Sequence, residues 1–329
     1  MRDYRFDVAR VVCMTYIVAF MHLYGYVYPQ GREAFYIPVC VTMTDACLGL
    51  FTFVSGYLLG SKYLFGKEGN TSLWTFYKKR IIRIIPLFIL ASVALWLIEF
   101  NSDIATINGL LCISPFVNPK PRTLWYIPVI LWCYLLTPLI SRKSLKWRIY
   151  SSILLMTSLV VARFLFPSVD GRLLFNLFFY LVGIISASCF DWRFKMPYGK
   201  AVKVASILLF VVLIMLCLHH SLLYRPSMIM AIGGIGVFVI LFVCEGISTC
   251  VFSGQDSNKN LLSLIVGFVS YASMACYMFH RPIYWLAQEI WNPSETTVKW
   301  WFMAGIVFPV IVMISYVIQK GYDSLVKRI

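Results

Sequence analysis

The sequence predicts an all-α protein: a polytopic membrane helical bundle with about ten transmembrane helices and both termini in the cytoplasm. Three observations lead to this prediction. Hydrophobic residues make up 60% of the 329 residues and charged residues 13%, which is about half the charged fraction of a soluble domain. Apolar stretches of about 20 residues, the length that crosses a bilayer, recur along the whole chain. The basic residues fall mainly in every second loop between these stretches.

The apolar stretches and their loops occupy nearly the whole chain, so we expect residues 1–329 to form one integral-membrane domain. A functional site would then be built from helix interiors, helix ends and short loops. Residues 104–117 are too short to span and contain Pro115, so we expect a re-entrant or interfacial segment there. The predicted spans are 8–28, 36–60, 81–99, 124–141, 149–166, 173–190, 204–222, 227–245, 263–288 and 300–319.

The net charge of +15 is spread over the loops and is not gathered in one patch. This distribution argues against nucleic acid as a partner and for membrane topology as the reason for the charge. One set of alternate loops holds 21 of the 29 Lys and Arg residues, which predicts cytoplasmic termini and makes membrane lipids a partner. The outer set holds only Arg32, Lys120, Arg122, Arg163, Arg172, Arg225, Arg281 and Lys299.

The ten cysteines lie mostly inside apolar stretches and show no paired metal-type spacing. We therefore interpret them as small hydrophobic residues, and we expect no metal site.

His22 and Asp45 are polar residues inside the first two predicted spans. A charge at the centre of a membrane helix costs about 2.5–3.5 kcal/mol, so such residues need a reason. At the helical rise, His22 lies ~9 Å and Asp45 ~13 Å below the outer surface. The shared depth suggests a catalytic pair in which the carboxylate orients His22 as general base for a hydroxyl group. The spacing agrees equally well with a structural hydrogen bond between two helices.

Arg80 and Arg83 lie three residues apart at the cytoplasmic start of the third span and therefore share a face. Two guanidinium groups on one face suit a multiply charged phosphate. Membrane topology and anionic lipid headgroups offer the alternative explanation for positive charge at this position.

Other candidate residues stand near the ends of spans. Gly56 would permit close helix approach near the cytoplasm, and His280 is expected on the same side of the membrane as His22. Trp125 and Tyr126 open the fourth span at the outer face, where simple membership of an aromatic belt is the alternative. Further outer residues are Trp285, Trp291, Trp300 and Trp301 in the same belt, and His219 and His220, which we expect to be solvated.

Taken in chain order, five segments resemble the acyltransferase 3 family of bacterial membrane acyltransferases. The order and the ten-span frame make the combination more specific than any single segment. Residues 142–260 carry no matching segment, and we expect acceptor specificity to reside there. The matching segments are Asp7 to Arg10 with the His22 helix, Phe53 to Tyr57, Arg80 to Arg83 followed by Pro86, Leu124 to Ile127, and Tyr277 to His280.

The resemblance implies transfer of an acyl group, usually acetyl from acetyl-CoA as co-substrate, to a hydroxyl of a surface glycan or lipid-linked sugar. It also implies a multi-pass protein of the bacterial inner membrane. The histidine of the family maps onto His22, and its arginine pair onto Arg80 and Arg83. The sequence does not determine an oligomeric state and is compatible with a homodimer. We assign Arg80, Arg83, Arg10, Ser55 and Tyr57 to donor binding, and Trp125, Tyr126 and His280 to substrate binding.

The depths of these residues agree with a long donor. Arg83 lies near the inner surface and His22 about two thirds of the way across, so ~20 Å would separate them in a hydrocarbon core ~30 Å thick. Coenzyme A carries phosphates at one end and a thioester at the end of a flexible arm. His22 would deprotonate the acceptor or form a transient acyl-histidine.

Two other classes of function remain open from the sequence. A transporter or flippase for a glycan or lipid-linked substrate would show discontinuous helices, and Gly233, Gly234 and Gly236 offer one such position. A glycosyltransferase or polymerase would more often carry charged residues in a large outer loop, whereas residues 100–123 are poor in acidic residues.

Overall fold

The computed structural model describes residues 4–28, 39–65, 72–141, 144–189, 199–219, 226–252 and 261–326. Within these ranges the chain forms eleven helices and no strand. The helices are α1 (Tyr4–Val27), α2 (Val41–Phe65), α3 (Leu73–Leu97), α4 (Asp103–Leu110), α5 (Tyr126–Ser141), α6 (Leu145–Leu165), α7 (Gly171–Cys189), α8 (Lys200–His219), α9 (Pro226–Phe252), α10 (Leu261–Ile290) and α11 (Thr296–Val326).

Eight of these helices are long and apolar enough to cross a membrane, and α5 and α8 contain shorter apolar segments. These ten helices correspond to the ten predicted spans, so the predicted polytopic helical membrane bundle is confirmed. Some residues interpreted from the sequence lie outside the described ranges: Arg2, Arg32, Lys67, Arg142, Lys143, Arg193, Lys195, His220, Arg225, Lys259, Lys327 and Arg328.

The ambiguous segment 104–117 contains only the short helix α4. Eight residues at 1.5 Å each span about 12 Å, far less than a bilayer core. The Ser102 side chain caps α4 by accepting a hydrogen bond from the Ala105 amide at 3.3 Å. A turn-rich stretch then leads to α5, and the Trp132 indole donates to the Cys112 carbonyl at 2.8 Å. The segment does not cross the membrane as a helix, as predicted.

The chain divides into two compact units, Met1–Leu50 with Tyr198–Ile329, and Phe51–Pro197. In the first unit α1 packs against α9 and α10, α10 packs against α11, and α8 packs against α9. In the second unit α7 packs against α5 and α6, and α3 packs against α4 and α5. Helix α2 contributes its first ten residues to the first unit and the remainder to the second.

In the first unit, glycines of α9 allow this helix to lie close to α2. A Cβ atom added at Gly233 would lie 3.2 Å from the Asp45 Cβ, and one added at Gly236 would lie 2.8 Å from the Ala46 Cβ. Helix α9 runs unbroken from Pro226 to Phe252. The glycines therefore serve helix packing, and the broken helix that would have indicated a transporter is not formed here.

In the second unit, α2 and α7 meet backbone to backbone. A Cβ added at Gly56 would come closer than 3.0 Å to the Tyr180 carbonyl oxygen, and one added at Gly183 would come equally close to the Phe53 carbonyl oxygen. The approach is reciprocal, since each helix presents a glycine to a carbonyl of the other. Small residues give membrane helices this close contact in place of a hydrophobic driving force. The predicted role of Gly56 is confirmed.

Two loops of the second unit are joined through Asp170, directly before α7. Its backbone amide donates to the Pro115 carbonyl at 2.8 Å, and its carboxylate accepts from the Arg172 side chain at 2.7 Å and from the Arg172 amide at 2.9 Å. Lys120 lies 3.7 Å from the same carboxylate and donates to the Ser168 carbonyl. Burial by itself would raise the pKa of Asp170, but the hydrogen bonds and charge of Arg172, with Lys120, outweigh burial and hold this pKa below its usual range.

Gly56→Ala and Gly183→Ala should each lower the free energy of unfolding by about 1–3 kcal/mol, because the added methyl group must displace a backbone carbonyl. Gly246→Ala is the matched control, since nothing lies within 4 Å of its added Cβ and alanine favours a helix. Thermal unfolding in detergent measures all three variants. A Gly183→Ala protein as stable as Gly246→Ala would contradict the close crossing of α2 and α7.

Asp170→Asn should lower stability at neutral pH by about 1.5–3 kcal/mol, the range for hydrogen bonds to a charged group, while asparagine retains the capping oxygen for α7. A carboxyl group with a lowered folded-state pKa stabilises the protein above its unfolded-state pKa, and this stabilisation is lost as pH falls through the folded-state value. The difference between wild type and Asp170→Asn should therefore disappear at acid pH. Denaturation measured as a function of pH tests this, and a difference independent of pH would contradict it.

Candidate active site

A pair of histidines joins α1 and α10 in the first unit. The Nδ1 atom of His22 lies 2.6 Å from the Nε2 atom of His280. The two rings are parallel within 2° and their centroids are 4.6 Å apart. Nitrogens 2.6 Å apart are too close for face-to-face stacking of the two rings, so the rings meet through their edges and share a hydrogen bond between these nitrogens. His22 is half-buried, whereas His280 is fully buried.

The backbone of α1 changes from α-helix to π-helix just before His22. Residues Tyr16–His22 form a π-helical segment that ends at His22 and is followed by regular helix. Such wider turns are rare and occur frequently at functional sites. The extra residue in the turn changes the direction of the side chains that follow it.

Three side chains hold α1 against α10 around the histidine pair. The Tyr284 hydroxyl donates to the Val18 carbonyl at 3.2 Å, and the Tyr26 hydroxyl donates to the Arg281 carbonyl at 3.3 Å. The Gln288 side-chain amide donates to the Tyr26 carbonyl at 3.2 Å. Each bond runs from a side chain of one helix to the main chain of the other, and together they restrict the separation of the two rings.

His280 has a protein partner at both ring nitrogens. Its Nδ1 atom lies 2.9 Å from the Tyr277 carbonyl oxygen and 3.1 Å from the Cys276 carbonyl oxygen, and its Nε2 atom faces His22. The prediction that His280 lies on the same side as His22 is confirmed. Sequence spacing did not show that the two rings touch, and direct substrate binding by His280 stays a prediction.

Asp45 belongs to the same unit and is buried on α2, where Gly233 of α9 approaches it. The group that the structure places at the Nδ1 atom of His22 is His280. An orienting role for Asp45 stays a prediction.

Arg10 also lies in the first unit. Its guanidinium is 3.4 Å from the Asp7 carboxylate, which accepts a second hydrogen bond from the Ser270 hydroxyl at 2.6 Å. This arrangement joins the start of α1 to α10. The assignment of Arg10 to donor binding stays a prediction.

In the second unit, Tyr134 lies near Ser55 and in the neighbourhood of the predicted arginine pair. The Tyr134 hydroxyl on α5 lies within hydrogen-bonding reach of the Ser55 side chain on α2, and Arg80 and Arg83 on α3 are the cations nearby. The Arg80 guanidinium lies 3.8 Å above the Phe76 ring and donates to the Phe76 carbonyl at 3.2 Å. Arg80 is half-buried and Arg83 is exposed. Three separate sequence segments therefore form one basic, hydroxyl-bearing cluster.

Tyr134, Thr137 and Tyr180 were missed by sequence reasoning. Tyr180 is fully buried, and its hydroxyl hydrogen-bonds the Thr137 hydroxyl. The ring centroids of Tyr134 and Tyr180 are 6.2 Å apart. Tyr134 and Thr137 are three residues apart in an apolar stretch and so share a helix face. This spacing of two hydroxyl groups is the sequence pattern from which they could have been predicted. Tyr57, assigned to donor binding, is buried in the same unit.

Trp125 and Tyr126 stand at the start of α5 with their rings at 89° and their centroids 6.2 Å apart. Tyr126 is buried, and the Arg172 guanidinium covers one face of the Trp125 ring at 4.0 Å from its centroid. Trp125 is therefore fixed by a cation–π contact. Substrate binding by these two residues stays a prediction.

A cavity of about 1000 Å³ lies between α10 and α11, where Tyr271, Tyr316, Lys320 and Asp323 contribute to its wall. Neither histidine of the pair lines this cavity. In the part of the chain that the structure describes, no group of three or more His, Cys, Asp or Glu side chains is arranged to hold a metal ion.

Comparison with known proteins identifies a family whose model matches the chain. The sequence model of the acyltransferase 3 family, described as an acyltransferase domain, matches residues 3–320. No curated protein and no solved structure matches the chain. The match covers nearly the whole chain and includes both the histidine pair and the arginine pair. The chain therefore belongs to the acyltransferase 3 family and is a membrane acyltransferase.

Proposed function

We propose that the protein is an O-acetyltransferase of the bacterial inner membrane, which transfers acetyl from acetyl-CoA to a hydroxyl of an extracytoplasmic polysaccharide or lipid-linked sugar. The observation that carries this proposal is the 2.6 Å contact between His22 and His280 inside two membrane-spanning helices. Polar groups are expensive in a bilayer and are retained there mainly for function.

Acyl transfer to a hydroxyl needs a base, because a neutral hydroxyl is a weak nucleophile. Imidazole is the side chain best suited to accept a proton near neutral pH. His22 is half-buried, whereas His280 is fully enclosed. His22 is therefore the member of the pair that an acceptor hydroxyl can reach.

The second unit supplies groups suited to the donor. Coenzyme A carries several phosphate groups, and guanidinium groups bind phosphate through paired charge-assisted hydrogen bonds. The Arg83 guanidinium is exposed and has no carboxylate partner among the described residues. Arg83, the half-buried Arg80 and the Ser55–Tyr134 hydroxyls would bind the donor phosphates, with Tyr57 and Arg10 as the further predicted donor contacts.

On the acceptor side, Trp125 and Tyr126 would bind the sugar. An aromatic ring can pack against the apolar face of a sugar, and a ring already held by Arg172 loses little conformational freedom on binding.

The double substitution Arg80→Ala/Arg83→Ala should weaken acetyl-CoA binding at least about tenfold. Each hydrogen bond to a charged group contributes about 1.5–3 kcal/mol, and 1.4 kcal/mol corresponds to a factor of ten in the dissociation constant. Calorimetry on the purified protein in detergent measures the affinity. The matched control is Lys78→Ala/Lys79→Ala, which removes the same charge from exposed positions at the start of the same helix.

If acetyl-CoA binds wild type but the two double variants weaken binding equally, the arginine pair is only part of a general positive field. If a folded wild-type protein does not bind acetyl-CoA, the donor assignment is wrong and transport of a glycan or lipid-linked substrate becomes the function to test.

His22→Ala should reduce acetyl transfer by about 10²–10⁴-fold, the usual contribution of a general base, with acetyl-CoA affinity unchanged. The measurement is incorporation of label from radioactive acetyl-CoA into the glycan fraction of membranes that contain the protein. His219→Gln/His220→Gln, which alters the other two histidines, should retain full transfer. Full transfer by His22→Ala at normal expression would exclude His22 as the base.

A further inference from the structure

The hydrogen atoms of the histidine pair are determined by the partners of His280. Carbonyl oxygens accept hydrogen bonds and cannot donate them, and two carbonyls, those of Cys276 and Tyr277, face the Nδ1 atom of His280. This nitrogen must therefore carry a hydrogen atom. In a neutral imidazole the other nitrogen is then an acceptor, so the Nε2 atom of His280 accepts.

The tautomer of His280 in turn determines the tautomer of His22. If the Nε2 atom of His280 accepts, the Nδ1 atom of His22, 2.6 Å away, must donate. A neutral His22 then has its lone pair at Nε2. A base must be neutral before it accepts a proton, so this is the state of the pair at the start of the reaction.

We propose that His280 is a positioning residue: it holds His22 in the Nδ1–H tautomer, which directs the basic Nε2 atom towards the acceptor hydroxyl, and it receives the Nδ1 proton during the reaction. This inference rests on the proposed function for the identity of the acceptor and the donor. The tautomer itself follows from the hydrogen-bond geometry alone.

Every proton that moves in the proposed reaction comes from the acceptor, His22 or His280 and ends on one of them or on the leaving thiol. The O–H bond of the acceptor breaks and an N–H bond forms at Nε2 of His22 as the oxygen attacks the thioester carbonyl. The Nδ1–H bond of His22 breaks and an N–H bond forms at Nε2 of His280, where the two carbonyl oxygens offset part of the cost of a transient buried positive charge. When the carbon–sulfur bond breaks, both transfers reverse, and the leaving thiolate takes the proton from His22.

The fixed geometry of α10 supports this role. His280 is completely buried, and both carbonyls belong to the turn that precedes it in its own helix. Each carbonyl oxygen has two lone pairs, so it can accept from the ring in addition to a backbone amide. The orientation of His280 is therefore set by local helix geometry, and the bonds of Tyr284 and Tyr26 between α1 and α10 bring His22 to it.

The direct test is nitrogen-15 NMR of histidine-labelled protein in lipid nanodiscs, recorded at a pH where the rings are neutral. The chain has four histidines, so His219→Gln/His220→Gln leaves only the two rings of interest. We expect both rings to show a protonated Nδ1 and an unprotonated Nε2. In His280→Leu, His22 should shift towards the Nε2–H tautomer that free imidazole side chains prefer. A protonated Nε2 on His22 in the protein with His280 intact would overturn the proposal.

Two substitutions separate the tautomer from proton transfer. His280→Gln places an amide oxygen where the Nε2 atom was, so His22 keeps its Nδ1–H tautomer but has no group to receive the proton; transfer should fall about tenfold. His280→Leu removes both roles, and transfer should fall roughly 100-fold or more, since loss of a tautomer-setting partner costs up to about 10⁴-fold in a catalytic triad. The KM for acetyl-CoA should remain unchanged in both. A His280→Leu protein with wild-type kcat would overturn the proposal.

The NMR result does not depend on the reaction. If the Nδ1–H tautomers are found but wild type transfers no acetyl group, the proposed function fails and the arrangement of the histidine pair stands. If wild type transfers acetyl but His22 carries its hydrogen at Nε2, the proposed function stands and the role of His280 is wrong.

Discussion

The absence of water from the bilayer core is the constraint from which the architecture follows. Backbone amides and carbonyls in hydrocarbon must be satisfied within the chain, and helices do this for every residue. Polar side chains must find partners in the same way. Tyr284 donates to a carbonyl of the neighbouring helix, Thr52 pairs with Asn176, and Lys203 pairs with Glu245. Hydrogen bonds thus join helices at points where hydrophobic contact alone gives little specificity.

Close helix contact gives these polar groups their fixed positions. Because lipid tails are as apolar as leucine, membrane helices gain stability from tight packing, and small residues permit it. Helix α2 uses this device in both units: α9 approaches its first part through Gly233 and Gly236, and Gly56 brings its second part to the backbone of α7. Close packing restricts rotation of a helix about its own axis, and this rotation decides where a functional side chain points.

The same constraint governs the chemistry. An isolated base in a membrane interior would acquire a costly unpaired charge on accepting a proton. A pair of imidazoles closed by two main-chain carbonyls can take up one proton and still keep each hydrogen bond, because its members exchange donor and acceptor roles. The histidine pair therefore combines structural pairing between helices with the capacity to act as a base. The arginines near Tyr134 avoid the cost of a charge in the membrane interior differently, because Arg80 is only half-buried and Arg83 is exposed.

The amino-acid sequence was sufficient to predict the ten spans, the short segment at α4, the close approach at Gly56 and the chemical character of His22 and the arginine pair. Hydropathy, helix length and side-chain chemistry are properties of consecutive or single residues, so no tertiary information was needed. Contacts between distant parts of the chain place His280, 258 residues away, at the ring of His22. Such contacts also bring Tyr134 close to Ser55. Depth along a helix can be counted from the sequence, and the prediction that Asp45 orients His22 rests on depth alone. The direction of a side chain depends on helix rotation, on the π-helical turn before His22 and on the packing of α1 against α10, and these are set by contacts between distant residues.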